Sequence, residues 1–311
     1  MTILLSGSIA YDTILEHPQP FAQHLRGKSF DKINLTFSTP VMRRCFGGCA
    51  ANIAYAIAQA GGTPYLWGAL GSDGLSYINY WEKLGLPTQG LHILPRHYTA
   101  QCFIITDTLG NQLASYHPGA SDHTEKIPTP RGNDFTLGIV SPTNVAGMMQ
   151  HTAYCAQHQI PCILDLGQAT PLFRPQELET IIALAPMLAF SDFEAQLIEE
   201  KIGRNPQQLA SQGKTIFWTH GAQGSTLLQA DYERHFATPK VHALDPVGAG
   251  DAFRGGLLWA LEKGASLSDA IRVGTLFGAK KVQYQGGQNY QYSSEEIQND
   301  FVTFWNRPWI K

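Results

Sequence analysis

Two hydrophobic rhythms alternate along most of this chain. Short apolar runs end in glycine or polar turns, and between them lie stretches where apolar residues return every three or four positions. Ile3-Leu4-Leu5 followed by Ser6-Gly7-Ser8 predicts a buried strand and its turn. Residues 50–60 are apolar on nearly every side, which predicts a buried helix, closed by Gly61-Gly62. Residues 65–71 read as a strand and turn; Asp73-Gly74 then opens a helix that Gly85 and Pro87 stop. Further strands are expected over 137–141, 161–166, 187–190 and 215–219, with helices near 144–157, 175–185, 192–201 and 206–212. A β meander at 225–236 and helices over 252–263, 267–284 and 294–305 complete the pattern. Strand–helix repeats of this spacing imply right-handed crossovers. The expected class is therefore α/β, with a mainly parallel sheet covered by helices on both faces.

Two stretches break the alternation. Residues 14–44 are mixed, with no convincing helix, and 91–118 turn β-rich. Within the second, runs at 100–107 and 112–116 flank Leu109-Gly110-Asn111, a hairpin signal. The two stretches are expected to pair into a small separate sheet, a lid inserted in a single domain spanning 1–311. The free edges of such a sheet could pair two copies into a homodimer.

Composition narrows the function. At 43% hydrophobic and 15% charged over 311 residues, the chain reads as an ordinary folded protein. A net charge of −3 gives no reason to expect nucleic acid or an anionic membrane as partner. No apolar run approaches the length of a membrane span, and the N-terminus reads as a first strand and not a signal peptide. Five scattered cysteines suggest reduced thiols and a cytoplasmic setting. Cys45 and Cys49 lack a second pair at zinc spacing, so no zinc site is expected there.

The candidate chemistry centres on Asp245-Pro246-Val247-Gly248-Ala249-Gly250-Asp251. From Asp251 on, Phe253, Leu257, Ala260 and Leu261 fall on one helical face, so a glycine-rich turn runs straight into a helix. Unpaired N–H groups and the positive end of the helix dipole make such a place an anion site. A carboxylate at its mouth is either a helix N-cap or a base that takes a proton from an attacking hydroxyl; spacing alone leaves both open. Other polar or glycine turns follow the expected strands, at Asp12, 68–73, 165–168, 191–194 and 220–224. In an open α/β sheet, ligands bind beyond those strand ends.

Four segments together carry a family resemblance: Phe46-Gly47-Gly48-Cys49-Ala50-Ala51-Asn52, Gly68-Ala69-Leu70-Gly71-Ser72-Asp73-Gly74, Thr219-His220-Gly221-Ala222-Gln223-Gly224 and Asp245 to Asp251. In order and spacing the chain resembles the ribokinase-like (PfkB) carbohydrate and nucleoside kinases over nearly its whole length. The resemblance implies a Rossmann-like core with a β lid and ATP- and Mg²⁺-dependent phosphoryl transfer to a primary hydroxyl. Whether a monovalent cation is also needed stays open. Asp251 resembles the base, and Gly248, Ala249 and Gly250 the anion hole. Asp12, Gly47, Gly48 and Asn52 resemble the clasp on the acceptor's hydroxyls; Thr219, Gly221, Gly224 and Asp245 fall on the nucleotide side. Glu194 resembles a residue that orders Mg²⁺ and its waters, with Ser191 standing where the family usually has Asn. The tail 279–290 would close the adenine pocket, and His220 is either a ligand contact or simply packed.

Pro246 and Arg254, the run Asp165 to Phe173, and the lid hairpin lean towards the bacterial adenosine and nucleoside kinase branch. A nucleobase needs a flat apolar face, which Phe103 with Tyr116 or His117 could supply. The expectation is a nucleoside kinase, adenosine first. A kinase of ribose or fructose phosphate, for which Arg43, Arg44 and Arg96 are the candidate phosphate contacts, is one alternative. A nucleoside-binding protein without catalysis, motivated by Ser191, is the other.

Overall fold

The structure is a computed structural model that describes residues 2–25, 35–131 and 135–309, with backbone only at 24 and 25. The part of the expected first lid stretch at 26–34 lies outside the described residues. In chain order the elements are β1 (Thr2–Ser6), β2 (Ala10–Glu16), α1 (Phe21–Leu25), β3 (Val41–Gly47), α2 (Cys49–Gln59), β4 (Pro64–Leu70), α3 (Leu75–Lys83) and β5 (Leu91–Ile93). Then come β6 (Ala100–Thr106), β7 (Gln112–His117), β8 (Phe135–Val140), α4 (Val145–Gln157), β9 (Cys162–Leu164), α5 (Pro175–Leu184), β10 (Met187–Ser191) and α6 (Asp192–Ile202). The remainder is α7 (Pro206–Ser211), β11 (Thr215–Thr219), β12 (Ser225–Gln229), β13 (Tyr232–Phe236), α8 (Ala249–Glu262), α9 (Leu267–Lys281) and α10 (Ser294–Trp305).

Among the described residues, nine strands form one sheet in the order β13-β12-β11-β10-β9-β8-β1-β4-β5. It is parallel from β11 to β5, and β12 and β13 add an antiparallel edge. The continuous apolar runs have a direct cause: both faces of the central strands are buried. On β1, Ile3 and Leu5 enter one core layer and Leu4 the other. On β10, Ala189 enters the first while Leu188 and Phe190 enter the second. Residues of α2, α8, α9 and α10 fill the first layer, and residues of α4 to α7 the second. Between α2 and α8 the backbones come close: a Cβ on Gly255 would lie 2.4 Å from the Ala56 Cβ. That contact sets α8 against α2, and so Asp251 against Asn52.

The second sheet has the order β3-β2-β6-β7. It is the lid, with boundaries that differ from the expected ones. The lid begins at Ala10, so Asp12 lies inside a lid strand and not on the edge of the main sheet. Residues 91–93 belong to the main sheet, where β5 pairs with β4. The base of the lid is pinned by Asp73, whose carboxylate accepts from the Thr99 N–H at 2.7 Å and pairs with Arg44 at 3.2 Å. Asp73 is therefore an anchor for the lid, which explains an acid in the expected site turn at 68–73 without a ligand role.

Candidate active site

The glycine turn is where the sequence placed it, with one shift. Gly248 caps α8 in the left-handed conformation (φ 77°), and the helix starts at Ala249. Asp251 is thus inside the first turn and is not its N-cap. The N–H groups of Gly250 and Asp251 have no partner among the described residues and remain available to an anion. Ala249 instead donates its N–H to the Pro246 carbonyl at 3.1 Å.

A relay of side chains fixes Asp251. Its Oδ2 accepts from the Asn52 Nδ2 at 2.9 Å, and Asn52 Oδ1 accepts from Gln288 Nε2 at 3.0 Å. Gln288 also donates to the Tyr77 hydroxyl at 2.8 Å, and Tyr77 donates to the Gly47 carbonyl at 2.8 Å. Asn52 is therefore a satisfied buried amide that also orients the Asp251 carboxylate. Burial pushes the Asp251 carboxyl above the usual carboxylate range, while the Asn52 amide and the Arg254 charge pull the other way. Gly287 makes room for the relay, because a Cβ there would fall 2.6 Å from Asn52 Oδ1. Gly287→Ala is expected to displace Asn52, costing about 1–3 kcal/mol of stability and slowing turnover more than it weakens substrate binding. Thermal melts and a kcat/KM comparison check this; native kcat would mean that the relay does not aim Asp251.

Arg254 is the charge hub beneath the turn, a role that the sequence did not assign. Its Nη2 donates to Asp165 Oδ1 at 2.7 Å, its Nε stands 2.7 Å from Asp165 Oδ2 as an ion-pair contact without a hydrogen bond, and Nη2 lies 3.7 Å from Glu194 Oε2. A Cβ on Gly250 would lie 2.7 Å from Arg254 Nη1, so the guanidinium also lies under the anion turn. Burial works against this charge, but Asp165, Glu194 and Asp251 together hold the guanidinium pKa above the usual arginine value. The available signal was Asp165, an acid directly after an apolar strand with a helical arginine far along the chain.

Across from the turn lies the lid. A cavity of about 300 Å³ is lined on one side by Gly48, Asn52, Gly248 and Asp251 and on the other by Asp12 and Tyr116. Lid register explains the second set. Asp12 pairs with Cys45 and Cys102, and Cys102 with Tyr116, so the four share one face. Phe103 is a correction. Next to Cys102 on β6, it points to the opposite face, pairs with Thr13 and Ser115, and does not line the cavity with Tyr116. Gly47 leaves room for the Asp12 carboxylate, whose Oδ2 is 2.3 Å from a Cβ built there. Gly48 (φ 95°) lines the cavity and leaves room for the backbone of Ser8 and Ala10. Gly47 and Gly48 thus shape the protein around Asp12. Burial first, then Asp251 and Asp245, push the Asp12 carboxyl up to about 6.

On the expected nucleotide side the roles divide. Thr219 ends β11 beside Ser191, and Gly221 (φ 56°) has open space around it. Gly224 is needed by the protein itself: a Cβ there would meet the Phe236 carbonyl at 2.1 Å. Asp245 turns both carboxylate oxygens inward, onto the N–H groups of Val247 at 2.9 Å and Gly286 at 2.8 Å. It braces the turn. The tail at 286–288 approaches Asn52 on the acceptor side. His220 is held between Asp192 at 2.7 Å and Thr226 at 2.9 Å, a packed and bonded ring. Ser191 and Glu194 form a capping box on α6: the Ser191 hydroxyl accepts from the Glu194 N–H, and Glu194 Oε2 accepts from the Ser191 N–H.

Comparisons with known proteins find relatives over nearly the whole chain. The model of the pfkB family carbohydrate kinases matches residues 29–293. The solved structure of Burkholderia thailandensis nucleoside kinase in complex with inosine is 38% identical, superposes with a TM-score of 0.89 and covers 99% of both chains. Its complex with ADP-inosine has a TM-score of 0.86, with coverage of 99% of this chain and 97% of that one. The nucleoside kinase of Methanothermobacter thermautotrophicus is 25% identical over 97% of this chain and 96% of that protein. A glycine turn at a helix N-terminus, a carboxylate aimed from its first turn and a β lid across one cavity thus accompany a family match over most of the chain: it belongs to the pfkB family, the ribokinase-like kinases of carbohydrates and nucleosides.

Proposed function

We propose that the protein transfers the γ-phosphoryl group of ATP to the 5′-hydroxyl of a nucleoside, adenosine first. The carrying observation is that Asp251, beside unpaired helix N–H groups, faces Asp12 across one cavity. In this reading Asp251 takes the proton of the attacking hydroxyl, and the N–H groups of Gly250 and Asp251 meet the charge that develops on the transferred group. Asp12 accepts hydrogen bonds from the sugar hydroxyls, and Tyr116 lies at the base. The Burkholderia kinase complexes support ATP as donor and a purine nucleoside as acceptor.

A phosphorylated acceptor has less support. Arg43 pairs with Glu16, and Arg44 is spent on Asp73 and on the Tyr11 ring, 3.6 Å from its centroid. An ADP-release screen over adenosine, inosine, uridine, ribose and fructose 6-phosphate tests the acceptor. Turnover of ribose without any nucleoside overturns the proposal, and ligand binding without turnover points to a non-catalytic binding protein.

The residues fit a magnesium ion that keeps most of its waters and is carried largely by nucleotide phosphates. Glu194 spends Oε2 on the cap and retains Oε1, while Ser191 acts by setting Glu194. Bound with the nucleotide, the ion supplies neutralisation of phosphate charge. Ser191→Asn is then expected to leave the Mg²⁺ dependence close to native. A titration that shifts more than about tenfold would make Ser191 a direct participant.

The Asp12 carboxyl, pushed up to about 6, gives a pH prediction. Only its ionised form accepts two hydroxyl protons, so the acceptor KM is expected to rise as pH falls through about 6. Asp12→Asn should raise KM throughout and abolish that limb; an unchanged limb would assign it elsewhere.

Two further readings concern the surroundings. On the lid face opposite Asp12, Met42, Leu15, Ile105 and Leu113 form one cross-strand apolar row, with Met42 68% exposed. This row supports a lid-to-lid homodimer, which sedimentation of Met42→Glu against the native chain tests. All five cysteines are free, which supports a cytoplasmic setting; among the described residues no helix is long and apolar enough to cross a membrane.

A further inference from the structure

Lys281 closes α9 and has no exposed surface. Its neighbour Lys280 behaves as surface lysines do and reaches Glu296 at 3.3 Å. Lys281 instead turns inward. Its Nζ donates to the Asp245 carbonyl oxygen at 2.8 Å and stands 3.7 Å from Asp245 Oδ2. A buried ammonium is retained only where such partners compensate its lost hydration.

The position of this charge matters more than its presence. Asp245 begins the turn that ends in Gly248, and its carboxylate also holds the N–H groups of Val247 and Gly286. The N–H groups of Leu244 and Asp245 both donate to the carbonyl of Val282, the residue after Lys281. The ammonium therefore stands where the anion turn meets the segment that runs on to Gly287 and Gln288 behind Asn52. Burial pulls the lysine below its usual range, and the charges of Asp245 and Asp251 oppose that pull.

We propose that Lys281 is a built-in monovalent cation of the phosphoryl-transfer site: a positioning residue whose ammonium locks Asp245 and thereby the Gly248 to Gly250 turn, so that transfer needs no dissolved K⁺ or Na⁺. The proposal rests on reading that turn as the phosphoryl site. A permanent charge on a helix suits the task because it cannot be diluted away. It holds a carboxylate and a carbonyl oxygen together, as a small unit-charge ion would.

The test compares the native chain with Lys281→Ala and Lys281→Met in potassium, sodium and tetramethylammonium chloride at one ionic strength. ADP release and the thermal midpoint are both read. The native chain is expected to give the same kcat in all three salts. Lys281→Ala should lose about 10²-fold in kcat with little change in acceptor KM. Propylammonium, which replaces the deleted atoms, should restore a large part of that loss and raise the variant's midpoint. Lys281→Met should stay slow, because its side chain fills the space without charge. A native enzyme that requires K⁺ overturns the proposal, as does native kcat in Lys281→Met or a Lys281→Ala loss that no small cation reverses. If the native chain phosphorylates no acceptor, the kinase reading fails, and the midpoint response of Lys281→Ala to propylammonium still decides the role of the lysine.

Discussion

Asp251→Asn is expected to fold, bind ATP and acceptor near native affinity, and turn over about 10²- to 10⁴-fold more slowly. The substitution keeps the shape of the side chain, and the new amide can still offer an oxygen to Asn52 Nδ2, so the relay to Gln288 and Tyr77 survives. What it removes is the lone pair that takes the proton of the attacking hydroxyl. Burial already raises the affinity of Asp251 for a proton, with Asn52 and Arg254 limiting that rise. A carboxylate raised in this way takes up a proton more readily than an exposed one. Calorimetric titration with ATP and nucleoside separates binding from chemistry. A variant that binds both and keeps native kcat would leave Asp251 without its assigned role.

Arg254→Met should have the largest effect on stability. It leaves the buried Asp165 carboxylate without its paired guanidinium and removes the charge beside Glu194. Breaking a buried pair in this way costs about 3–5 kcal/mol, a lowering of the thermal midpoint by roughly 10 °C for a chain of this size. The deficit should shrink as pH is lowered, because a protonated Asp165 no longer needs a cation. Adding Asp165→Leu should recover much of the lost stability, since a well-packed apolar pair replaces a buried ion pair at little net cost. Activity should stay low in the double variant, because Gly250 and Glu194 still lack the guanidinium beneath them. Recovery of both would make Arg254 a purely structural residue.

Much of the fold was legible because its signals are local. The last helix was expected over 294–305 and spans Ser294–Trp305, since Ser293 and Glu296 form a capping box that announces its start. The central strands were legible from unbroken apolar runs, which follow from burial on both faces. Phe103 shows where such reading stops. An aromatic in a lid strand looks like a stacking platform, but its face depends on register, and one position decides whether it joins Asp12 or turns away. Asp245 and Gly224 show a second limit. Motif residues beside a ligand site can be there to hold the backbone, and only partners reveal it.

By itself the sequence determined the alternation of strands and helices, the β character of the lid and the glycine turn opening a helix with Asp251 close behind. Periodicity, capping and turn chemistry act over a few residues and can be read along the chain. Tertiary structure alone decided what surrounds Asp251. Asn52 reaches it across 199 positions, Gln288 reaches Asn52 across 236, and Arg254 meets Asp165 across 89. The pKa of a base and the aim of its lone pair depend on distances of a few ångströms between such residues. Only the packing of α8 against α2, and of both helices against the main sheet, sets those distances.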